Sequence, residues 1–262
     1  MGGIKLNKYQ NKDILNMSIA ELSRGKIRPF LYKFQNKLFE ILRAKNIFIK
    51  PTVWCSTDWF TPDGEGGFAF PFYLLDDRLK EIYLNYFYDL DGENDNEIIK
   101  LFLHESSHVI DNTFGLRRQK KRQILFGKTS KVYPDFYTPD FNNDDYIENL
   151  GECYGQSHPD EDWAESFTSW LLGLGHQKLS SVAKEKYDYL ASVMEQKVCN
   201  TKPVSKSVSY TENVLQIDQT FGEFIKKRKL YYQMEFFGRP DASGRSHLEI
   251  EGNSDISKEE LL

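Results

Sequence analysis

Apolar positions with helical spacing come early in the chain. Within residues 13–46 they recur three or four positions apart, which is the period of one face of an α-helix. The clearest of them are Leu31, Phe34, Leu38 and Leu42. This spacing predicts a mainly helical N-terminal segment, residues 1–46.

Residues 47–90 have a different pattern, with three aromatic and apolar stretches and a cluster of Gly, Asp and Pro after the first. The stretches are IFIKPTVWC, FAFPFYLL and IYLNYFYDL. Aromatic and β-branched residues bounded by turn residues are typical of strands, so the pattern predicts a small sheet. The middle stretch, residues 68–75, is expected to offer an edge strand to an extended peptide.

A helical pattern returns over residues 94–114. Asn94 and Glu97 match a capping box at its start, and Gly115 suits its C-terminal stop. The following stretch, residues 116–157, is polar and aromatic. Loops of this length in a compact domain are often functional, so we expect this one to form a wall of a substrate cleft.

Two further helices are predicted over residues 159–172 and 178–197. The first begins with Pro159, because proline is favoured in the first helical turn. These patterns predict an α+β fold with a small N-terminal sheet over the 94–114 helix and a helical C-terminal part. We divide the chain into an N-terminal helical segment (1–46), a main domain (47–200), a helical extension (201–238) and a disordered tail (239–262).

Composition and charge exclude several classes of protein. The 262 residues have a mean hydropathy of −0.58 and contain no apolar run near the roughly 18–20 residues of a membrane span. The net charge of −5 disfavours a nucleic-acid partner, and the one basic run, residues 117–122, is predicted to be a solvated face. We expect a cytoplasmic location, because the chain lacks a signal-peptide pattern and its three cysteines form no disulfide framework; non-classical secretion stays open.

The segment with the clearest chemistry is LFLHESSHVID, residues 101–111, which contains an H-E-x-x-H motif. On a helix, positions four apart share a face, so His104 and His108 can present two imidazoles to one ion. Glu105 is the candidate general base, because it lies beside the ligands and can take a proton from an activated water. We expect one zinc ion per chain, and a zinc hydrolase needs a third protein ligand and an open position for water.

The third ligand is expected within YGQSHPDEDWAESF, residues 154–167. Glu161 and Glu165 lie four apart and share a helical face, opposite a stripe of Trp and Phe. A charged outer face would explain this pair on its own. Beside H-E-x-x-H, however, one carboxylate on the metal and a second that orients a ligand histidine is a glutamate-zincin arrangement.

Together these motifs resemble those of a bacterial family of zinc-binding metallopeptidases. That family pairs HExxH with a downstream Y-x-Q-x-H-P-x-E-D-(F/W)-A-E-(T/S)-(F/W) signature, and the likeness runs over residues 50–200, including Tyr133-Pro134. The motifs are also similar, more distantly, to the catalytic domain of anthrax lethal factor. The resemblance implies zinc ligands at His104, His108 and Glu161, a general base at Glu105, an oxyanion donor at Tyr154 and an orienting carboxylate at Glu165.

Several assignments stay open at this point. Glu165 could be the ligand in place of Glu161, and Tyr154 could be a packing residue. His158 could line the cleft, cap the following helix, bind substrate or serve as an extra ligand. Asp111 could hydrogen-bond within the site or end its helix in solvent.

The sequence thus predicts a gluzincin-like zinc metallopeptidase with a zincin-like fold, whose catalytic domain is residues 47–200. Its expected activity is that of an endopeptidase acting on a peptide or protein substrate. The alternative is a catalytically inactive zincin-fold protein that binds peptide or protein. Loss of turnover with retained binding in Glu105→Gln would argue for the enzyme.

Overall fold

The computed structural model describes residues 3–87, 89–134, 137–151, 153–174, 179–202 and 206–237, which form an α+β fold. The helices are α1 (Asn11–Leu15), α2 (Ile19–Ser23), α3 (Ile27–Ala44), α4 (Asp77–Leu84), α5 (Asp95–Phe114), α6 (Lys120–Leu125), α7 (Pro159–Leu172), α8 (Ser181–Val193) and α9 (Phe221–Phe237). The strands are β1 (Thr52–Ser56) and β2 (Gly67–Pro71). The predicted tail, residues 239–262, lies outside the described ranges.

The helices predicted from periodicity and capping are confirmed, although α8 begins at Ser181 and not at residue 178, and the stretch predicted as a loop, residues 116–157, contains α6. The N-terminal segment contains α1, α2 and α3, and α3 buries Phe34, Leu38 and Leu42 as the spacing predicts. Helices α5 and α7 begin and end within one residue of their predicted bounds. Within the described ranges, no helix combines the length and the apolar character that crossing a bilayer requires.

The sheet is smaller and better covered than predicted. β1 and β2 pair in parallel, with Thr52 opposite Gly67. A Cβ at Gly67 would lie 2.3 Å from the Thr52 carbonyl oxygen, so this close pairing requires glycine. β2 is buried along its length, and on its other side the Ala69 amide donates to the Phe60 carbonyl at 2.8 Å. The prediction of an edge strand open to a peptide at residues 68–75 is therefore wrong.

The third predicted strand is also wrong, because residues 82–84 belong to α4. Asp76 caps this helix by accepting a hydrogen bond from the Arg78 amide at 3.0 Å. Leu79, Ile82 and Tyr83 are all buried, at a spacing of three and four. The aromatic composition of the stretch favours a strand. Its apolar residues, however, have the spacing of one helical face, so the stretch begins as a helix that buries this face.

Packing around Phe102 places α5 at the centre of the fold. This ring lies edge-on to Phe68 of β2, with centroids 5.2 Å apart, and 5.8 Å from Phe34 of α3. Sheet and N-terminal helix therefore cover one side of α5, while α7 contacts it as well. Because α5 is buried through most of its length, polar groups at its middle must find partners inside the protein.

The segment after residue 206 packs back on the beginning of the chain. The Ile19 amide donates to the Gln219 carbonyl at 2.9 Å, and the Phe221 amide donates to the Met17 carbonyl at 3.0 Å. The indole of Trp54 in β1 donates to the Thr211 carbonyl at 2.9 Å. Among its described residues, the predicted helical extension (201–238) is α-helical only in α9, and it contacts both the N-terminal helices and the sheet.

Candidate metal centre

Helix α5 carries both histidines of the H-E-x-x-H motif. Asn94 caps it by accepting from the backbone amides of Asn96 and Glu97. The Glu97 carboxylate in turn accepts from the Glu93 backbone amide and from the Asn94 side-chain amide, and not from the Asn94 backbone amide that a capping box would use. Once the helix is formed, the rings of His104 and His108 lie on one face with centroids 5.1 Å apart.

Glu161 approaches this pair from α7. Its Oε2 lies 2.9 Å from His104 Nε2 and 3.5 Å from His108 Nε2. The three side chains are buried, and their ligand atoms all lie within 4.8 Å of one another. Two ligands of a tetrahedral zinc ion are about 3.3 Å apart, which follows from metal–ligand bonds of about 2.0 Å. The cluster could therefore hold a metal ion with small adjustments.

Glu165, one turn further along α7, contacts the other nitrogen of His104. Its Oε1 lies 3.0 Å from His104 Nδ1, and its Oε2 accepts from the amides of Asn149 at 2.6 Å and Leu150 at 3.0 Å. Both carboxylate oxygens are thus engaged on the side of the imidazole away from the cluster. This geometry favours orientation of His104 by Glu165, with Glu161 as the ligand.

The cluster strongly favours positive charge. Burial alone would lower the pKa of His104, but its contacts with Glu161 and Glu165 raise that pKa to about 10. Burial would raise the pKa of Glu161, yet His108 and His104 hold it well below its ordinary value. Carboxylates that stay ionised in a buried site need positive charge beside them, which either protonated imidazoles or a metal ion can supply.

Glu105 lies next to the cluster at the wall of a cleft of about 610 Å³. Its side chain is buried, and Thr61 donates to its Oε2 at 2.7 Å. Burial raises the pKa of Glu105, against the opposing effect of the two histidines. A buried carboxylate with a raised pKa is the kind of group that accepts and returns a proton. Tyr154 lines the same cleft, with its ring 5.7 Å from that of His104, and is 37% exposed.

Two contacting residues were not singled out from the sequence. Thr61 holds the Glu105 carboxylate, and the Tyr133 hydroxyl donates to Oε1 of Glu161 at 2.7 Å. The only sequence signal for Tyr133 is its place in the family-like stretch with Pro134. For Thr61 there is none, because it lies in a turn cluster far from the motif.

His158 and Asp111 lie beside the cluster without joining it. His158 is the N-cap of α7, and its Nδ1 accepts from the Asp160 amide at 3.2 Å, so capping is confirmed among the roles left open for it. Asp111 is completely buried, so the solvated helix end is excluded. It accepts from the Arg117 amide at 2.6 Å and from Arg122 Nη2 at 2.9 Å.

The solvated face predicted for the basic run at residues 117–122 is confirmed for Arg118, Lys120 and Lys121, which are exposed, but it is wrong for Arg122. Arg122 is fully buried, and its Nη2 donates to both Asp111 and Asp160 at 2.9 Å. Its guanidinium also lies over the ring of Trp163, 4.7 Å from the centroid. Arg122 therefore joins α5 to α7 at a point close to the ligand cluster.

Asp160 makes the stability of this junction dependent on pH. Burial alone would raise its pKa, but Arg122 holds the pKa below its ordinary value of 3.8. Because the folded state binds this proton less tightly than the unfolded chain, Asp160 stabilises the fold above that value, and the stabilisation is lost as the pH falls through its folded-state pKa. Between about pH 5 and about pH 3, we expect the free energy of unfolding in urea to fall less in Asp160→Asn than in the wild type. Equal losses would contradict this assignment.

Comparison with models of known protein families, with curated proteins and with solved structures finds no match to this chain. Its function must therefore be inferred from the site itself.

Proposed function

We propose that this protein is a zinc-dependent metallopeptidase with a zincin-like fold, acting as an endopeptidase on a peptide or protein substrate. The observation that carries the proposal is the convergence of His104, His108 and Glu161 in a buried cluster with Glu105 beside it. The resemblance of both motifs to zinc-binding metallopeptidases supports the same activity.

The donor atoms favour zinc over magnesium and calcium. Two imidazole nitrogens and one carboxylate oxygen suit zinc, whereas magnesium and calcium prefer six or more oxygen ligands. Three protein ligands are also the number found in catalytic zinc sites, where water or substrate takes the fourth position. Zinc bound at this cluster would supply a Lewis acid that lowers the pKa of water and polarises a carbonyl group.

Glu105 supplies the proton transfers in this proposal. Thr61 donates to its Oε2, which leaves Oε1 as the less engaged oxygen to accept the proton of the attacking water. The same carboxyl group then gives that proton to the leaving amine. Tyr154, on the wall of the same cleft, donates its phenol hydrogen to the oxyanion that develops on the substrate.

Metal analysis of three proteins tests the proposal. We expect one zinc per chain in the wild type, none in Glu161→Ala, and one in Glu165→Ala with an affinity about 10- to 100-fold lower, because an orienting carboxylate is lost but the ligands stay. Elemental analysis after dialysis against buffered zinc measures both quantities. Loss of zinc in Glu165→Ala with retention in Glu161→Ala would reverse the two roles. A wild type without zinc after reconstitution would contradict the metal centre.

A further inference from the structure

The two oxygens of Glu161 have different partners. Oε2 faces the Nε2 atoms of His104 and His108, at 2.9 and 3.5 Å. Oε1 accepts a hydrogen bond from the phenol of Tyr133 at 2.7 Å. A carboxylate can bind a metal through one oxygen or through both, so the partner of the second oxygen decides between these modes.

Tyr133 is fixed in place by the beginning of the helix that carries Glu161. Its ring stacks on His158, with centroids 3.6 Å apart and an angle of 14° between the planes. Nδ1 of His158 accepts from the Asp160 amide, so Nε2 carries the ring proton and donates to the Lys131 carbonyl at 2.8 Å. The buried imidazole of His158 therefore contacts this segment twice, through the backbone carbonyl of Lys131 and through the ring of Tyr133.

We infer that Tyr133 is a positioning residue that keeps Glu161 a one-oxygen ligand, with His158 holding Tyr133 in place. This inference rests on the proposed metal site at His104, His108 and Glu161. With Oε1 engaged by the phenol, three side-chain atoms would hold the ion and a fourth position would be left for water. Without the phenol, Oε1 would be free to bind the ion beside the water and would raise the number of ligand atoms from four to five.

This role differs from that of Tyr154, although both tyrosines line the cleft. Tyr154 is proposed to donate to the substrate, whereas Tyr133 donates to a ligand of the metal. The role also explains why His158 is buried at the start of α7 without contacting the ligand cluster. His158 orients Tyr133, and Tyr133 in turn orients Glu161.

Cobalt(II) in place of zinc tests the inference without a substrate. Four-coordinate cobalt absorbs visible light much more strongly than five-coordinate cobalt, so its spectrum reports how many atoms bind it. We expect one cobalt per chain in both the wild type and Tyr133→Phe, with a strong visible band in the wild type and a clearly weaker band in the variant. If turnover is measured as well, kcat should fall about 10- to 100-fold in the variant with KM little changed.

Two further variants separate this role from a general effect on the fold. Tyr32→Phe removes a phenol that is 75% exposed on α3, and its cobalt spectrum should match the wild type. His158→Asn keeps a good helix cap but removes the stacking and the bond to Lys131, so its band should weaken as in Tyr133→Phe. A wild-type spectrum in Tyr133→Phe would overturn the role of Tyr133 alone. Failure of the wild type to bind cobalt would overturn the metal centre and this inference with it.

Discussion

Replacement of Glu105 by glutamine is expected to lower the rate of peptide hydrolysis by about 10²- to 10⁴-fold while zinc stays bound. Glutamine has the same shape and can still accept the Thr61 hydrogen bond through its amide oxygen. It cannot take a proton from water. Because Glu105 is beside the ligand cluster and not part of it, zinc content should not change.

The measurement is kcat/KM on a mixture of quenched fluorescent peptides, together with zinc content. Glu97→Gln is the matched control, since it makes the same substitution on the same helix at a capping position that accepts glutamine. Undiminished turnover in Glu105→Gln would remove Glu105 from the mechanism. If the wild type bound peptides but cleaved none, the protein would instead be the binding module considered above.

Replacement of Arg122 by methionine is expected to lower the free energy of unfolding by about 3–5 kcal/mol, because it leaves two buried carboxylates without their shared cation. These carboxylates belong to Asp111, which is fully buried, and Asp160, which is 4% exposed. Methionine fills much of the same space beside Trp163, so the loss comes mainly from the missing positive charge, although Asp111 keeps its ion pair with Arg117 at 3.4 Å. Urea unfolding at neutral pH measures it.

Arg118→Met is the control for Arg122, because Arg118 lies in the same basic run but is exposed. Its free energy of unfolding should stay within about 0.5 kcal/mol of the wild type. Adding Asp111→Asn and Asp160→Asn to Arg122→Met should restore part of the stability, because the two buried negative charges that shared Arg122 are then gone. A loss of the same size in Arg118→Met would show that the basic run acts through its total charge and not through the buried junction.

The sequence predicted those parts of the site that depend on local periodicity. His104 and His108 share a face because they are four apart on one helix, and α5 and α7 are delimited by residues with clear preferences for helix ends. The encounter of Glu161 with the histidines was anticipated from paired motifs, not from spacing, since the two helices are far apart along the chain.

The parts that could not be predicted depend on tertiary contacts. Thr61 and Tyr133 lie 44 and 28 residues from the glutamates they contact, and neither belongs to a regular pattern. A run of basic residues is normally solvated, and only the position of Asp111 and Asp160 around Arg122 reverses that expectation. Residues 82–84 were predicted as strand and are helical, because aromatic composition alone cannot separate a strand from a buried helix.

The C-terminal segment returns to the N-terminal helices, and this contact can form only after the proposed metal ligands have been synthesised. Ser18 pairs with Thr220, so this closure joins positions about 200 residues apart, and closing so long a loop carries an entropic cost. The ligand cluster lies wholly between residues 104 and 161. A nascent chain that has left the ribosome as far as residue 200 already contains every proposed ligand, while Met17 and Trp54 still lack their hydrogen-bond partners. The proposed metal ligands are therefore all present before the fold can close.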